Sequence, residues 1–332
     1  MRRSVHRSLW KDNFLIMGST LLGLSLVAAF LLLFGISLVD IGRIVAEVPP
    51  WVFLVLAVTI GATVIAGSMK WQIAVRALSK ESQDVPLSSA ILATSFGVLL
   101  GQIMPIQIAT ATARAVVGIR ENISAMSSVG STIYEQLFEV LVLMAMVTIS
   151  AAALLFRIHW SVLALAALLL ITLLVVSTGV ATSLAARALS VVVKGVPAFL
   201  KGPVLRTEEA LAACSNLDQN IVARMTALSV LRYILMVAGA VVMAKALIPA
   251  ADPLTIALAF PAVQIAVNVP VTPAGLGLVE VTWTGLFLAA GSIAKEAAIA
   301  AVAMRLMNFI GFCLFFVPFL LLCAVRFRKP FP

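Results

Sequence analysis

Six charged side chains fall inside stretches of sequence that are apolar enough to lie within a membrane. They are the arginines Arg114, Arg232 and Arg305 and the glutamates Glu135, Glu139 and Glu280. A charge at the centre of a bilayer is costly, so such residues are candidates for a functional site and are expected to have partners. Together they make a zwitterionic interior, which suits a charged headgroup carrying either a phosphate or an amine.

Glu280 follows the most unusual interruption in the chain, residues 268–283. The interruption holds Asn268, Pro270, Pro273, Gly275 and Gly277, and Pro261 lies shortly before it. Prolines remove backbone donors and break helices, and glycines let the backbone approach a ligand or a neighbouring helix. A helix that restarts near Leu276 would direct its free N–H groups into the break, where they suit an anion such as phosphate.

Two interpretations of this second break are open. In the first, Glu280 only caps the restarted helix and the break is a kink. In the second, a half-helix lines a pathway for a lipid or an ion, and the backbone is irregular because it borders a polar cavity.

An earlier break has the same character. Pro105 ends one apolar segment, and a short polar run leads from there to Arg114. In the next span Glu135 and Glu139 are four residues apart, so they share one helix face. Two buried carboxylates repel each other, so either one is protonated or a cation lies between them. The alternatives are that Arg114 reaches the cytoplasmic surface and that this helix end lies at the membrane interface.

If each broken stretch packs against the span that follows it, the charges pair across the contact. Arg114 then meets Glu135 or Glu139, and Glu280 meets Arg305. Arg232 is expected about 10 Å into its helix at 1.5 Å per residue. At that depth it either belongs to the site or extends to the interface.

These charges must be positioned by membrane helices. The chain has 332 residues, of which 62% are hydrophobic and 11% charged, against about 25% charged in soluble domains. The sequence therefore predicts a single all-α polytopic membrane domain over residues 1–332. About six full spans are expected at 14–39, 51–69, 128–156, 160–180, 226–248 and 297–324. Two broken or re-entrant helical hairpins are expected at 88–118 and 254–290.

Lysine and arginine in the flanking segments predict the orientation. Most of these basic residues fall on one side of the predicted spans, which predicts that both termini lie in the cytoplasm. The expected location is the inner (cytoplasmic) membrane, which the chain crosses several times. Residues 1–13 become a cytoplasmic tail, and 181–225 a cytoplasmic loop with a short surface helix. The same topology opens the two breaks to opposite sides, as in an inverted repeat.

The remaining motifs exclude several classes of function. The cysteines and histidines are scattered, so no metal site is predicted, and no catalytic residue or cofactor is assigned. The net charge of +9 is explained by topology and by attraction to anionic inner-leaflet lipids, and nucleic acid is not an expected partner. The expected partners are a membrane lipid substrate and, as open possibilities, a separate lipid synthase and a second copy of the chain.

Four motifs resemble the flippase-like membrane domain of lysylphosphatidylglycerol synthetases. They are "MKWQIAVRAL", "GQIMPIQIATATARAVVGIRE", "SSVGSTIYEQLFEVL" and "PVTPAGLGLVE". The chain departs from the family pattern at three places: Lys70 stands for an arginine, Ala109–Ala111 replaces a Gly-Gly-acid run, and Gln136 replaces an arginine.

The resemblance implies a stand-alone member without the soluble aminoacyl transferase domain. It implies movement of a lipid between leaflets or membranes. The candidate lipids are a phospholipid, an aminoacyl-phospholipid, a hopanoid and a polyprenyl-linked glycolipid. The alternative is a membrane-embedded accessory protein or lipid-modifying enzyme of a lipid or glycan pathway.

Overall fold

The computed structural model describes residues 21–78, 84–156, 218–269 and 272–326, with a few more between 162 and 172. Within these ranges the chain is helical and contains no β-strand, which confirms the predicted all-α class. The helices are α1 (Leu21–Leu33), α2 (Leu38–Glu47), α3 (Pro50–Leu78), α4 (Leu87–Leu100), α5 (Ile106–Arg120), α6 (Ala125–Phe156), α7 (Gln219–Leu247), α8 (Pro253–Asn268), α9 (Leu278–Ala289) and α10 (Ala294–Arg326).

Four of these helices, α3, α6, α7 and α10, are long and apolar enough to cross a membrane. They have 29, 32, 29 and 33 residues, against about 20 needed for a span. Large apolar side chains point outward from them, including Leu54, Leu155 and Leu322. Such surfaces are stable in lipid and not in water, so the protein is a multi-pass membrane protein.

A sharp bend falls near the end of the first predicted span, residues 14–39. Helix α1 ends at Leu33 and α2 begins at Leu38, and the two axes differ by 85°. Gly35 has a positive φ of 59°. Ser37 then starts α2 in a reciprocal cap, because its Oγ accepts from the Asp40 N–H and the Asp40 carboxylate accepts from the Ser37 N–H, both at 3.1 Å. Local capping therefore outweighs the continuous apolar pattern.

Helix α7 begins before residue 226, where the membrane span is predicted to start. Helix α7 begins at Gln219, because Asp218 satisfies two N–H groups of the first turn. Its backbone carbonyl oxygen accepts from the Ile221 N–H at 2.9 Å, and its carboxylate accepts from the Asn220 N–H at 3.1 Å. The last residues of the loop predicted over 181–225, from 219 onward, are therefore helical. The rest of that loop, the tail 1–13 and most of the span predicted at 160–180 lie outside the described residues.

Both predicted breaks are confirmed. The first separates α4 from α5 at residues 101–105, and the second separates α8 from α9 around a 3₁₀ turn, Pro273–Gly275. Pro261 was expected to break the second stretch, and that expectation is wrong, because Pro261 is buried inside α8. Membrane helices tolerate such a proline where neighbouring groups satisfy the freed backbone.

Asp252 defines the start of α8. Its carboxylate accepts hydrogen bonds from the Thr255 N–H at 2.8 Å and the Thr255 hydroxyl at 2.7 Å. These bonds lower the pKa of the Asp252 carboxyl below its ordinary value, because they favour the charged form.

The chain divides into two compact units, of which the first contains residues 1–61, 95–110 and 235–332. Here α3 and α10 approach closely at glycines. A Cβ at Gly311 would lie 2.9 Å from the Leu56 Cβ, and one at Gly61 would lie 2.6 Å from the Phe315 ring. Small residues allow this approach, which gains van der Waals contact between membrane helices.

The second unit contains residues 62–94 and 111–234. One of its apolar clusters surrounds Trp71, with Val75, Val85 and Ile123. Another joins Phe138 of α6 to Met225 of α7. These clusters surround the part of α6 that carries Glu135 and Glu139, and so they determine the environment of both carboxylates.

Candidate functional site

Glu135 and Glu139 lie one turn apart on α6, within the second unit. The Glu135 side chain is 4% exposed and that of Glu139 is 23% exposed. The pair therefore has a buried inner member and an outer member that other groups can reach. Three cations from three other helices surround them: Lys70 from α3, Arg114 from α5 and Arg232 from α7. We refer to these five residues as the five-charge cluster.

The inner part of the cluster is fully enclosed. Arg114 forms an ion pair with Glu135 through its Nη1, and its side chain is 2% exposed. Lys70, which is completely buried, pairs with Glu139 and places its Nζ 3.7 Å from Glu135 Oε1. Lys70 thus lies between the two carboxylates, and Glu135 lies between two cations. These contacts offset the repulsion between two carboxylates on one helix face.

Further contacts orient Arg114. Its Nη2 lies 3.5 Å from the Gly67 carbonyl oxygen and 3.5 Å from the Thr94 hydroxyl. Its guanidinium stands over the Trp71 ring at 5.5 Å, and Trp71 Nε1 donates to Ser131 Oγ at 3.0 Å. A cation–π contact of this kind adds to the ion pair and holds the guanidinium plane.

Arg232 and Glu139 form the outer part of the cluster. Arg232 Nη1 lies 3.0 Å from Glu139 Oε1, and the two side chains are 27% and 23% exposed. Arg232 is the fourteenth residue of α7 (Gln219–Leu247), deeper in its helix than the sequence predicted, because that helix begins earlier. Its partner on α6 shows that it belongs to the cluster.

The predicted contact between Arg114 and the acidic face of α6 is confirmed. Lys70 is not among the predicted site residues, because the predicted span ends at residue 69. In the structure α3 continues to Leu78, so Lys70 lies inside the helix. The signal was present, because Lys70 occupies the first of the four family-like motifs.

A second charged group lies in the first unit, at the break between α8 and α9. Glu280 pairs with Arg305 of α10, and its Oε2 accepts the Gly277 N–H at 2.8 Å. Arg305 Nη2 also donates to the Ala274 carbonyl oxygen at 3.3 Å. The predicted Glu280–Arg305 pair is therefore confirmed, and Glu280 caps its own helix as well. Its carboxylate occupies the N-terminal position that was expected to suit an external anion.

The turn before Glu280 depends on left-handed backbone and close packing. Ala274, Gly275 and Gly277 have φ values of 46°, 68° and 85°. A Cβ at Gly275 would lie 2.9 Å from the Ala266 carbonyl oxygen, and one at Gly277 would lie 2.6 Å from the Leu26 Cβ. Both glycines permit the approach of other parts of the protein, as predicted, and the neighbour of Gly277 is α1.

Gly277→Leu is therefore expected to destabilise the protein by about 2–6 kcal/mol, since it combines overpacking of about 1–3 kcal/mol with strain at a positive φ of about 1–3 kcal/mol. Equilibrium unfolding in mixed detergent micelles measures the change. Gly285→Leu is the matched control, because Gly285 lies in α9 with open space around it. Equal stability of the two variants would contradict the close approach to Leu26.

The other predicted site residues lie at the breaks but outside the ion pairs. Pro105 is buried just before α5, and Pro273 is buried at the start of the 3₁₀ turn. Asn268 is exposed at the end of α8, where its carbonyl oxygen accepts from Gln107 Nε2 at 3.0 Å. This bond joins the two breaks within the first unit. A role of these residues in substrate binding stays a prediction.

Comparison with known proteins gives one match. The family model described as the lysylphosphatidylglycerol synthase TM region matches residues 20–315. This range includes the five-charge cluster and the Glu280–Arg305 pair, and it confirms the resemblance drawn from the four sequence motifs. The curated proteins and the solved structures contain no match.

Proposed function

Because the chain belongs to the lysylphosphatidylglycerol synthase transmembrane-region family, we propose that it moves a lipid with a charged or polar headgroup across or between membranes. The family is a membrane domain associated with lipid-related, flippase-like function. A lipid that changes leaflet must take its headgroup through hydrocarbon, so its carrier needs polar groups at depth and apolar surfaces outside.

The five-charge cluster is the observation that carries this proposal. Each charge placed in the bilayer centre costs at least about 2.5–3.5 kcal/mol on insertion scales. The protein nevertheless gathers five charges on four helices, of which α3, α6 and α7 are long and apolar enough to cross a membrane and α5 is shorter. Such groups commonly mark the pathway of a substrate or ion, where water or the substrate compensates them.

In the proposed cycle, the ion pairs hold the site closed and the headgroup replaces them in turn. Arg232 and Glu139 are the first to separate, because they are the exposed members of the cluster. The candidate lipids remain a phospholipid, an aminoacyl-phospholipid, a hopanoid and a polyprenyl-linked glycolipid. The proposed location is the inner membrane with both termini in the cytoplasm.

Proteoliposomes test the proposal. A fluorescent headgroup-bearing lipid is incorporated, and dithionite quenching reports its movement between leaflets. The wild-type chain is expected to accelerate movement, and Arg232→Gln is expected to slow it at least about tenfold, which corresponds to 1.4 kcal/mol in the barrier. Arg76→Gln is the matched control, because Arg76 pairs with Asp84 at an exposed position of the same unit.

Mass spectrometry of the same vesicles separates transport from the alternative functions. Transport leaves every lipid chemically unchanged, whereas a lipid-modifying enzyme produces a new species. Unaltered lipids and no accelerated movement would instead favour an accessory protein that acts with a separate synthase.

A further inference from the structure

The charges of the five-charge cluster do not balance. Lys70, Arg114 and Arg232 supply three positive charges, and Glu135 and Glu139 supply two negative ones. Both carboxylates are already shared between cations, so one positive charge has no counterpart within the cluster. An uncompensated charge away from water is strongly unfavourable, and the cluster is therefore suited to one additional anion.

Two guanidinium groups have hydrogen-bonding capacity to spare. Arg114 Nε and Arg232 Nε are buried, and neither has a hydrogen-bond partner among the described residues. Buried donors are normally satisfied, so each such atom calls for an explanation. The guanidinium fork matches phosphate and carboxylate geometry, which makes arginine the preferred residue for binding these anions.

Gly67 leaves space for one more carbon beside Arg232 Nε. A Cβ placed there would lie 3.9 Å from Arg232 Nε and 3.9 Å from Glu135 Oε1, in ordinary van der Waals contact with both. Because residue 67 is a glycine, no side chain fills this space. Arg232 is 27% exposed, so a ligand can reach the cluster from its outer side.

The Glu280–Arg305 pair provides an internal contrast. It has one cation and one anion, and its helix N-terminus is already occupied by the Glu280 carboxylate. That pair is neutral and has no comparable excess of positive charge. The unbalanced charge therefore distinguishes the five-charge cluster as the anion-binding element.

From these observations we infer that the five-charge cluster binds one monoanionic phosphodiester, the phosphate of a lipid headgroup, with Arg232 and Arg114 as its donors. A single negative charge neutralises the cluster. A headgroup of net positive charge, such as a lysylated one, would add a second uncompensated charge. The inference rests on the proposed function for the lipid nature of the ligand, and it assigns that lipid to the anionic phospholipids.

Titration of the purified full chain in detergent tests the assignment without requiring transport. The probes are dioctanoyl-phosphatidylglycerol, which is anionic, dioctanoyl-phosphatidylcholine, which is zwitterionic, and inorganic phosphate. Tryptophan fluorescence reports binding, since Trp71 lies under the Arg114 guanidinium. The wild-type chain is expected to bind the anionic lipid at least about tenfold more tightly than the zwitterionic one.

Charge-altered variants give the decisive comparison. Arg232→Gln leaves two cations and two carboxylates, and it is expected to lose the preference for the anionic lipid. Arg232→Lys keeps both the excess positive charge and a cationic donor, and it is expected to retain the preference. The double variant Arg232→Gln with Glu139→Gln restores the excess positive charge without the Arg232 donor, and it is expected to recover part of the preference that Arg232→Gln loses. Arg76→Gln changes the total charge of the protein equally but at an exposed position, and it is expected to bind as the wild type does.

Three results would overturn the inference. The first is an unchanged preference in Arg232→Gln, and the second is an equal loss in Arg76→Gln, which would indicate general surface electrostatics. The third is inorganic phosphate binding as tightly as the anionic lipid, which would reject the lipid as the source of the phosphate. Selective binding without lipid movement in vesicles would reject the proposed function alone, and lipid movement without selective binding would reject this inference alone.

Discussion

Glu135→Gln is expected to lower the free energy of unfolding by about 3–5 kcal/mol, because removing one partner of a buried ion pair strands the other. Glu135 pairs with Arg114 and lies 3.7 Å from Lys70, and these cations are 2% and 0% exposed. The amide is nearly isosteric, so the change isolates charge from packing. Equilibrium unfolding in mixed detergent micelles measures the effect.

A second variant separates the stranded charge from other causes. In the double variant Arg114→Gln with Glu135→Gln, Lys70 keeps Glu139 as its partner. The double variant is therefore expected to be more stable than Glu135→Gln alone. Asp84→Asn is the exposed control, because its pair with Arg76 is 2.7 Å long but the side chains are 72% and 55% exposed. Exposed pairs contribute about 0.2–1 kcal/mol, and a Glu135→Gln effect of that size would show that the cluster is screened by water.

Glu280→Gln and Arg305→Gln are each expected to cost about 3–5 kcal/mol, and the two together less than the sum. Glu280 is 1% exposed and Arg305 23% exposed. The amide offers one acceptor oxygen where the carboxylate offers two, so Glu280→Gln leaves either Arg305 or the Gly277 N–H without its partner, and it is expected to be the more damaging change. A double-mutant cycle on unfolding free energy measures their coupling.

The coupling itself decides whether these two residues act as a pair. Unlinked sites add within roughly 0.3–0.5 kcal/mol, so a coupling energy inside that range would contradict the contact and the proposed closed form of this break. The matched comparison is Glu280→Gln combined with Lys245→Gln. Lys245 lies near the end of α7 in the same unit, and no coupling is expected there.

Much of the charged interior could be read from the sequence, for an energetic reason. A carboxylate or guanidinium inside an apolar stretch must find a partner, and few partners of the opposite sign exist at such depth. The cost of an unpaired charge therefore predicted that Arg114 pairs with the acidic face of α6 and that Glu280 pairs with Arg305. The two breaks could be predicted in the same way, since prolines and glycines act on the backbone locally.

Lys70 and Arg232 show where this reasoning gives no single answer. Lys70 follows the end of the predicted span 51–69, and Arg232 lies about 10 Å into its predicted helix. From both positions a long cationic side chain can either extend to the interface or turn inward. The hydropathy of the sequence is the same whether such a side chain extends to the interface or turns inward. The outcome depends on whether a neighbouring helix presents a carboxylate, and only the packing of α3 and α7 against α6 supplies Glu135 and Glu139 to them.

The sequence by itself determined the membrane class, the helix breaks and the identity of the deepest charges, because each follows from the cost of placing a given group in hydrocarbon. Tertiary structure decided the continuation of α8 through Pro261 and the composition of the five-charge cluster. These features depend on contacts between segments far apart in the chain. The excess positive charge of the cluster is the clearest example, since it exists only once α3, α5, α6 and α7 have brought three cations to two carboxylates.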